Sequence, residues 1–170
     1  AFAAAAPRPG RRRPTALVFQ SNGFTAGTDT LVGELLTRAG YAPILPEGFD
    51  RLCCGQMLAS KGMAAEAEGM SNTLEAALMK ASENGKYPVI MDASTCTARM
   101  QKHLAGRLML YDFHEFAVDA LLPRLVINRE RGPVALHVNC SVRKNGADGK
   151  LRQLLKACAE EIIEPAGVTC

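Results

Sequence analysis

The chain has 170 residues, of which 48% are hydrophobic and 22% are charged, and its formal net charge is +3. This length and composition suit a globular protein with a sizeable core, and they exclude a disordered or collagen-like chain. No apolar run approaches the roughly 20 residues of a membrane-spanning helix. The small net charge and the lack of Trp argue against a nucleic-acid surface. We therefore expect no transmembrane segment and no nucleic-acid partner.

The first segment, residues 1–13, combines small residues with prolines and arginines. The prolines oppose an amphipathic helix, and the segment lacks the apolar region and cleavage site of a secretory signal. We interpret residues 1–13 as a flexible linker, with a processing segment as the alternative. Its basic run from Arg8 to Arg13 is expected to be solvated.

From Pro14 onward, short apolar runs alternate with amphipathic stretches, a pattern typical of an α/β protein with a parallel sheet flanked by helices. Strands are predicted at 15–21, 42–45, 88–91, 108–111, 134–139 and 161–164. Helices are predicted at 28–39, 64–84, 97–104, 113–122 and 149–160. Loops at 52–63 and 92–96 and a turn at 129–132 separate them. Cys96 and Cys140 follow predicted strands, where open parallel sheets bind ligands.

The sequence also contains an internal repeat. Residues 14–22 (PTALVFQSN) align with residues 132–140 (GPVALHVNC) at an offset of 118 residues, and the following helices and strands align as well. We expect a first, complete β/α copy over 14–131 and the start of a second, truncated copy over 132–170. A truncated copy exposes apolar surface, so we also expect dimerisation through that face.

Cysteine is over-represented, with six residues, two of which are adjacent. Cys53 and Cys54 stand in the loop LCCGQMLASKGM, where a vicinal disulfide would strain the backbone, so metal binding or redox chemistry explains them better. The absence of a Cys-x-x-Cys motif argues against a zinc ribbon and a thioredoxin-type enzyme. Cys158, on the inward face of a predicted helix, is interpreted as a buried hydrophobe.

Five segments together resemble a known domain: LCCGQMLASKGM, DASTCTARM, YDFHEFAVDALLPRL, ALHVNCSVRKNG and the closing EPAGVTC. They are similar to the cysteine-rich CCG domain, and the resemblance covers nearly the whole chain after Pro14. That domain occurs in the C-terminal part of FAD-linked D-lactate dehydrogenases. It also occurs in the iron–sulfur subunits of glycolate oxidase, anaerobic glycerol-3-phosphate dehydrogenase and heterodisulfide reductase. The resemblance implies an iron–sulfur cluster that relays electrons from a reduced flavin to an acceptor.

The resemblance implies a set of metal-ligating thiolates: Cys53, Cys54 and Cys96 in the first copy, and Cys140 and Cys170 in the second. Asn22 and Arg99 stand where the fully liganded family pattern has cysteine, so the first copy is one thiolate short of the usual four. His103, two helical turns past Cys96, is expected to face solvent rather than to complete the set. The complete site is expected in the second copy, with its remaining ligands beyond this chain.

The resemblance further implies a 4Fe-4S cluster as the cofactor, with FAD in the parent protein rather than in this chain. The sequence has no GxGxxG motif and no P-loop, so we expect no flavin site and no catalytic residue here. The parent is expected to be an FAD-dependent oxidoreductase that acts on a 2-hydroxy acid such as D-lactate. The implied partners are upstream flavin and ferredoxin-like domains and an electron acceptor, in the cytoplasm or at the inner face of the membrane.

Two other functions stay open on the residues. A metal-free thiol-redox protein would use Cys96 near a helix N-terminus, with the Cys53–Cys54 pair resolving its sulfenic acid. A protein-interaction module would keep its cysteines inert and dock through apolar residues such as Met57 and Met63. A cysteine phosphatase is disfavoured, because the phosphate-binding arginine would have to stand at Gly146.

Polar residues near the predicted ligands receive structural interpretations. Asp92 and Ser94 precede Cys96 and are predicted to cap its helix, which would fix the direction of the thiol. His137 is predicted to be a core histidine of the strand 134–139. His114 and Glu115 resemble half of an HExxH motif that lacks its second histidine, so they are predicted to be ordinary helix residues.

Overall fold

A computed structural model of the protein describes the backbone of residues 2–4 and all atoms of residues 13–19 and 29–166. The strands are β1 Phe2–Ala4, β2 Thr15–Phe19, β3 Ala42–Ile44, β4 Val89–Met91, β5 Leu110–Asp112, β6 Leu125–Ile127, β7 Glu130–Ala135 and β8 Ala159–Ile163. The helices are α1 Leu31–Arg38, α2 Gln56–Ala59, α3 Ala64–Ala81, α4 Ser94–Leu104, α5 Phe113–Phe116, α6 Cys140–Lys144 and α7 Asp148–Cys158. A short 3-10 helix, Phe49–Arg51, precedes α2, and α5 continues as a π-helical turn, Ala117–Leu121, and a 3-10 turn, Leu122–Arg124.

Four parallel strands form the main sheet in the order β3-β2-β4-β5. Leu17 of β2 lies opposite Ile44 of β3 on one side and Val89 of β4 on the other. The chain places β3 on one side of β2 and then places β4 and β5 on the other side, so the direction of the chain reverses between β2 and β4. Open parallel sheets bind ligands at such a point, outside the carboxyl ends of the strands. This arrangement confirms the predicted α/β fold with a parallel sheet flanked by helices.

Helices cover both faces of the sheet and completely bury the last four residues of β2. Ala16 and Val18 of β2 pack against α1 and the turns after α5, and Leu17 and Phe19 pack against α3 and α4. All four of these residues are 0% exposed. Continuous burial of this kind explains why β2 reads as an unbroken apolar run rather than an alternating one.

The start of α1 and the buried face of α3 follow from particular residues in the sequence. α1 begins after Thr30, whose Oγ1 accepts a hydrogen bond from the Gly33 N–H at 3.3 Å, so the helix starts later than predicted. In α3, Leu74 and Leu78 are buried, whereas Met70 is 40% exposed. The buried stripe of this helix runs through Ser71, one position after Met70.

The second half of the chain departs furthest from prediction. β7 occupies Glu130–Ala135, so the predicted turn at 129–132 is strand, and the predicted strand at 134–139 overlaps only its end. Extended backbone continues past β7, where Leu136 and Val138 are buried and His137 between them is exposed. His137 is therefore not a core histidine, because alternate residues of an extended chain point to opposite sides.

Two smaller sheets complete the fold. β7 and β8 are parallel and joined through α6 and α7, and β1 pairs antiparallel with β6. β1 lies in the segment predicted to be a linker, with Phe2 opposite Ile127. Across the described ranges, no helix combines the length and the apolar character that crossing a membrane requires.

Candidate functional site

The structure brings two of the predicted ligand cysteines into contact. Cys54 and Cys96 are 42 positions apart in the sequence, and their Sγ atoms lie 2.9 Å apart. Cys54 is 1% exposed and Cys96 is 7% exposed. Both belong to the core cluster that contains Phe19 and Met91, the last residues of β2 and β4. The thiol pair therefore lies at the carboxyl edge of the sheet, shielded from bulk water.

The glycine that follows the two cysteines is required by the backbone. Gly55 has a φ of +78°, and a Cβ atom at this position would lie 2.3 Å from the carbonyl oxygen of Ala67. A side chain there would collide with the backbone of α3 as well as strain its own conformation. The motif Cys-Cys-Gly thus lets the loop close tightly onto α3, which carries the buried thiol into the core.

The carbonyl oxygen of Cys54 is held by two side chains from different helices. The Ser71 hydroxyl of α3 donates to it at 2.9 Å, and Arg99 Nε of α4 donates to it at 2.7 Å. Arg99 Nε also lies 3.0 Å from Ser71 Oγ, so the three groups form a closed triangle. Ser71 is 0% exposed, and the carbonyl would otherwise be a buried acceptor without water. We call Ser71 and Arg99 the carbonyl clamp.

Sequence reasoning missed the carbonyl clamp, although both residues carry a detectable signal. Ser71 lies on the buried stripe of α3, four positions after Ala67 and three before Leu74, where an apolar residue is usual. Arg99 stands one helical turn after Cys96, on the same side of α4. Ser71 is a polar residue at a core position, and Arg99 is a cation close to a buried thiol. Such residues need a buried hydrogen-bond acceptor, which here is the Cys54 carbonyl oxygen.

An ion network continues from the carbonyl clamp along α3 and α4. Glu68 Oε2 lies 3.8 Å from Arg99 Nη2, and His103 Nδ1 lies 3.1 Å from Glu68 Oε1. His103 Nε2 lies 2.9 Å from Glu75 Oε2, and Arg107 pairs with the same carboxylate. The His103 side chain is only 10% exposed, so the expectation that it faces solvent was wrong. It faces α3, with its two ring nitrogens against the carboxylates of Glu68 and Glu75.

Cys96 lies inside the first turn of α4 rather than in the preceding loop. The helix begins at Ser94, its N-cap is Ala93, and no side chain makes a capping hydrogen bond there. The prediction that Asp92 and Ser94 cap this helix was therefore wrong. What fixes the Cys96 thiol is packing in the core together with its position in a helical first turn, where the helix dipole favours negative charge.

Cys53 is half-buried, and its sulfur bonds within its own loop, whereas the sulfur of Cys54 contacts Cys96. Cys53 Sγ accepts a hydrogen bond from the Gly55 N–H at 3.4 Å. Within residues 13–19 and 29–166, no group of three or more His, Cys, Asp or Glu side chains is arranged to hold a metal ion.

The other cysteines lie in residues 132–170, the predicted second copy. Cys140 is exposed, is disulfide-bonded and starts α6, whose N-cap Asn139 accepts from the Val142 N–H at 2.9 Å. Cys170 and Asn22 fall outside the described residues. Cys158, at the end of α7, is half-buried, and burial raises the pKa of its thiol.

The thiol pair fits two positions of a metal centre after a small rearrangement. A tetrahedral ion with metal–sulfur bonds of about 2.3 Å sets its sulfur ligands about 3.8 Å apart. The Cys54 and Cys96 sulfurs, at 2.9 Å, are closer than this, so a rotamer change in one of them is needed to admit a metal. Cys53 would have to turn away from the Gly55 N–H to join them.

A second buried polar pair lies at the same edge of the sheet. Asp112 ends β5, and its Oδ1 lies 2.8 Å from His114 Nδ1. Burial alone would raise the pKa of Asp112, but hydrogen bonds from His114 and Ser94 outweigh burial and lower it. Burial would lower the pKa of His114, but its hydrogen bond to Asp112, together with the charges of Asp112 and Glu115, outweighs burial and raises it. Burial and the charge of Asp112 raise the pKa of Asp92.

His114 is thus more than an ordinary helix residue, because it forms a buried ion pair with Asp112. The two side chains are only 8% and 6% exposed. The backbone of Ala147, which precedes α7, also favours the protonated imidazole. This pair therefore links the end of the main sheet to the residue that precedes α7.

Fold and site together define an α/β protein with a buried pair of thiols at the carboxyl edge of a parallel sheet. Comparisons with models of protein families, with curated proteins and with solved structures gave no match.

Proposed function

We propose that this chain is an electron-transfer domain whose Cys54–Cys96 site provides thiolate ligands to an iron–sulfur cluster. The contact between these two sulfurs supports the proposal most directly, because it joins residues from two separate β/α connections. Cys53 is the nearest further thiol in the sequence. A cluster held there would accept and release single electrons without a change in the protein's covalent structure.

The surroundings of the pair suit a negatively charged centre. The Arg99 guanidinium lies against the Cys54 backbone, and Cys96 lies in the first turn of α4. Both favour negative charge, and burial in an apolar cluster strengthens such interactions. A 2-hydroxy-acid dehydrogenase of the D-lactate type is the parent enzyme that we propose, with FAD and ferredoxin-like parts outside this chain.

A metal-free dithiol is the second candidate, and the sulfur–sulfur distance favours it. At 2.9 Å, the Cys54 and Cys96 thiols are already close enough to form a disulfide after a small movement. Such a pair would release two electrons and two protons to a disulfide or peroxide substrate and would need no iron. Either chemistry would use the thiols of Cys54 and Cys96, and in either one the carbonyl clamp would hold the Cys54 backbone.

Anaerobic reconstitution with ferrous iron and sulfide tests the first candidate. We expect the wild-type chain to bind iron and to show visible sulfur-to-iron absorbance, and we expect Cys54→Ser and Cys96→Ser to lose both. Cys158→Ser is the matched control, because this half-buried thiol belongs to α7 rather than to the pair. Iron bound equally by all four proteins, or by none, would contradict the proposal.

A further inference from the structure

We propose that Arg99 is a positioning residue that holds the Cys54 loop against α4 and thereby keeps the Cys54 and Cys96 sulfurs together. This inference deepens the proposed function and rests on the Cys54–Cys96 pair being its working site. It does not depend on which chemistry, iron–sulfur or dithiol, the pair carries out.

The geometry assigns this role because one helix carries both the thiol and the clamp. Arg99 stands three positions after Cys96 in α4, so the two side chains emerge from neighbouring points on one rigid turn. Cys96 Sγ touches the Cys54 side chain at 2.9 Å, while Arg99 Nε bonds the Cys54 carbonyl at 2.7 Å. Two contacts from one turn fix both the backbone and the side chain of Cys54.

The close packing at Gly55 does not replace this link. Gly55 lies against the Ala67 carbonyl and so fastens the loop to α3, whereas Cys96 belongs to α4. A shift of α4 relative to α3 would separate the sulfurs even if the loop stayed on α3. Arg99 bonds both the loop carbonyl and Ser71 of α3, so it couples the two helices at the level of the thiols.

The surroundings of Arg99 fit a residue placed for a specific contact. Its side chain is 17% exposed, and Glu68 Oε2 lies 3.8 Å away. A largely buried guanidinium costs desolvation energy unless acceptors and a counter-charge surround it. Here the Cys54 carbonyl and Ser71 supply the acceptors and Glu68 supplies the charge.

Arg107 provides a matched control just beyond the end of the same helix. It lies three residues after α4 ends at Leu104, pairs with Glu75, and donates to the carbonyl oxygens of Leu104 and His103. Like Arg99, it connects α4 to α3, but its partners do not include the cysteine loop. A loss caused only by weaker α3–α4 packing would therefore appear in Arg107→Met as well as in Arg99→Met.

The test is the equilibrium of the metal-free protein with reduced and oxidised glutathione. Two protein thiols and one glutathione disulfide exchange to give the Cys54–Cys96 disulfide and two glutathione thiols, which take up the two protons. Mass mapping of the alkylated protein gives the effective concentration of the pair. We expect Arg99→Met to lower it about tenfold and Ser71→Ala about fivefold, with Arg107→Met within about twofold of wild type.

An effective concentration in Arg99→Met equal to that of wild type overturns the inference, as does an equal loss in Arg107→Met. Thermal unfolding of each variant checks that it folds. If Arg99→Met does not fold, Ser71→Ala decides, because it removes one hydroxyl group and no charge. A wild-type pair that forms no disulfide at any glutathione ratio also overturns the inference. The glutathione measurement contains no iron. It can therefore confirm the role of Arg99 even if iron reconstitution fails, and it can refute that role even if the chain binds iron.

Discussion

Two of the strand–helix–strand connections, β2–α1–β3 and β7–α6–α7–β8, align with each other in the sequence but lie in different settings. In the first, β2–α1–β3, a further strand pairs with β2, and α3 and α4 cover the opposite face from α1. In the second, β7 and β8 form a separate two-stranded sheet among the described residues, and α7 has no fully buried residue. The same local pattern therefore gives a buried strand in one place and a half-exposed one in the other.

This difference shows what a buried thiol site requires. Cys54 and Cys96 are buried because two β/α connections meet under the α3–α4 layer, with side chains from both helices on the Cys54 carbonyl. Cys140 also follows extended backbone at the start of a helix, but it is exposed. A cysteine placed after a strand is thus not enough, since a second layer must supply its neighbours.

The largest expected effect comes from the tight turn beside the thiol pair. Gly55→Ala places a methyl group 2.3 Å from the Ala67 carbonyl oxygen, so we expect it to lower the free energy of unfolding by about 3 kcal/mol or more. Gly62→Ala shares the left-handed backbone, with a φ of +81°, but meets nothing within 4 Å. It should cost only about 1 kcal/mol. Urea unfolding measures both, and equal losses would refute the proposed packing of the loop on α3.

Truncating one leucine in α3 and one in α7 compares the packing of these two helices directly. Leu74 of α3 is 0% exposed, so we expect Leu74→Ala to cost about 3 kcal/mol in unfolding free energy. Leu155 of α7 is half-buried in a small cluster, so Leu155→Ala should cost about 1 kcal/mol. Urea unfolding followed by circular dichroism measures both losses. Equal losses from Leu155→Ala and Leu74→Ala would show that α7 is packed as tightly as α3, which contradicts this comparison.

The smallest effect concerns the Asp112–His114 pair at the end of β5. Pairing raises the pKa of His114, so its stabilisation is complete below about pH 6.5, the unfolded value, and is lost as pH rises through the raised folded pKa. Pairing lowers the pKa of Asp112, so that contribution is present above about pH 3.9 and is lost as pH falls through the lowered folded pKa. Stability from the pair is therefore greatest between these two values.

Urea unfolding from pH 5 to pH 9 tests this pair. We expect wild type to lose stability above about pH 6.5 and His114→Gln to lose less over the same range. His137→Gln is the control, because His137 is exposed. If the unfolding free energy of His114→Gln falls with pH as steeply as that of wild type, a group other than His114 titrates in this range.

The sequence was informative where apolar periodicity alone decides the structure. The runs at β2 and β4 and the stripe of Leu74 and Leu78 in α3 predict the buried strands and the helix that covers them. The Cys-Cys-Gly motif likewise indicates the loop that carries the buried Cys54 thiol. These features depend on residues close together in the chain, which is why one sequence is sufficient to find them.

The parts that were not predicted depend on contacts between distant residues. Arg99 and Ser71 meet the Cys54 carbonyl from two helices, and His103 is drawn to α3 by Glu68 and Glu75. No local pattern encodes such pairings. The start of β7 was missed for a related reason, because its pairing with β8, nearly 30 residues away, overrides the turn-like composition of residues 129–132.

Controlled oxidation with peptide mapping tests the contact between the Cys54 and Cys96 sulfurs most directly. The metal-free, folded protein is oxidised with diamide, its remaining thiols are blocked, and it is cleaved with trypsin. The account predicts one new crosslink that joins the peptide of residues 52–61 to the peptide of residues 87–99. A crosslink confined to residues 52–61, or one that joins residues 87–99 to a peptide other than 52–61, would contradict it.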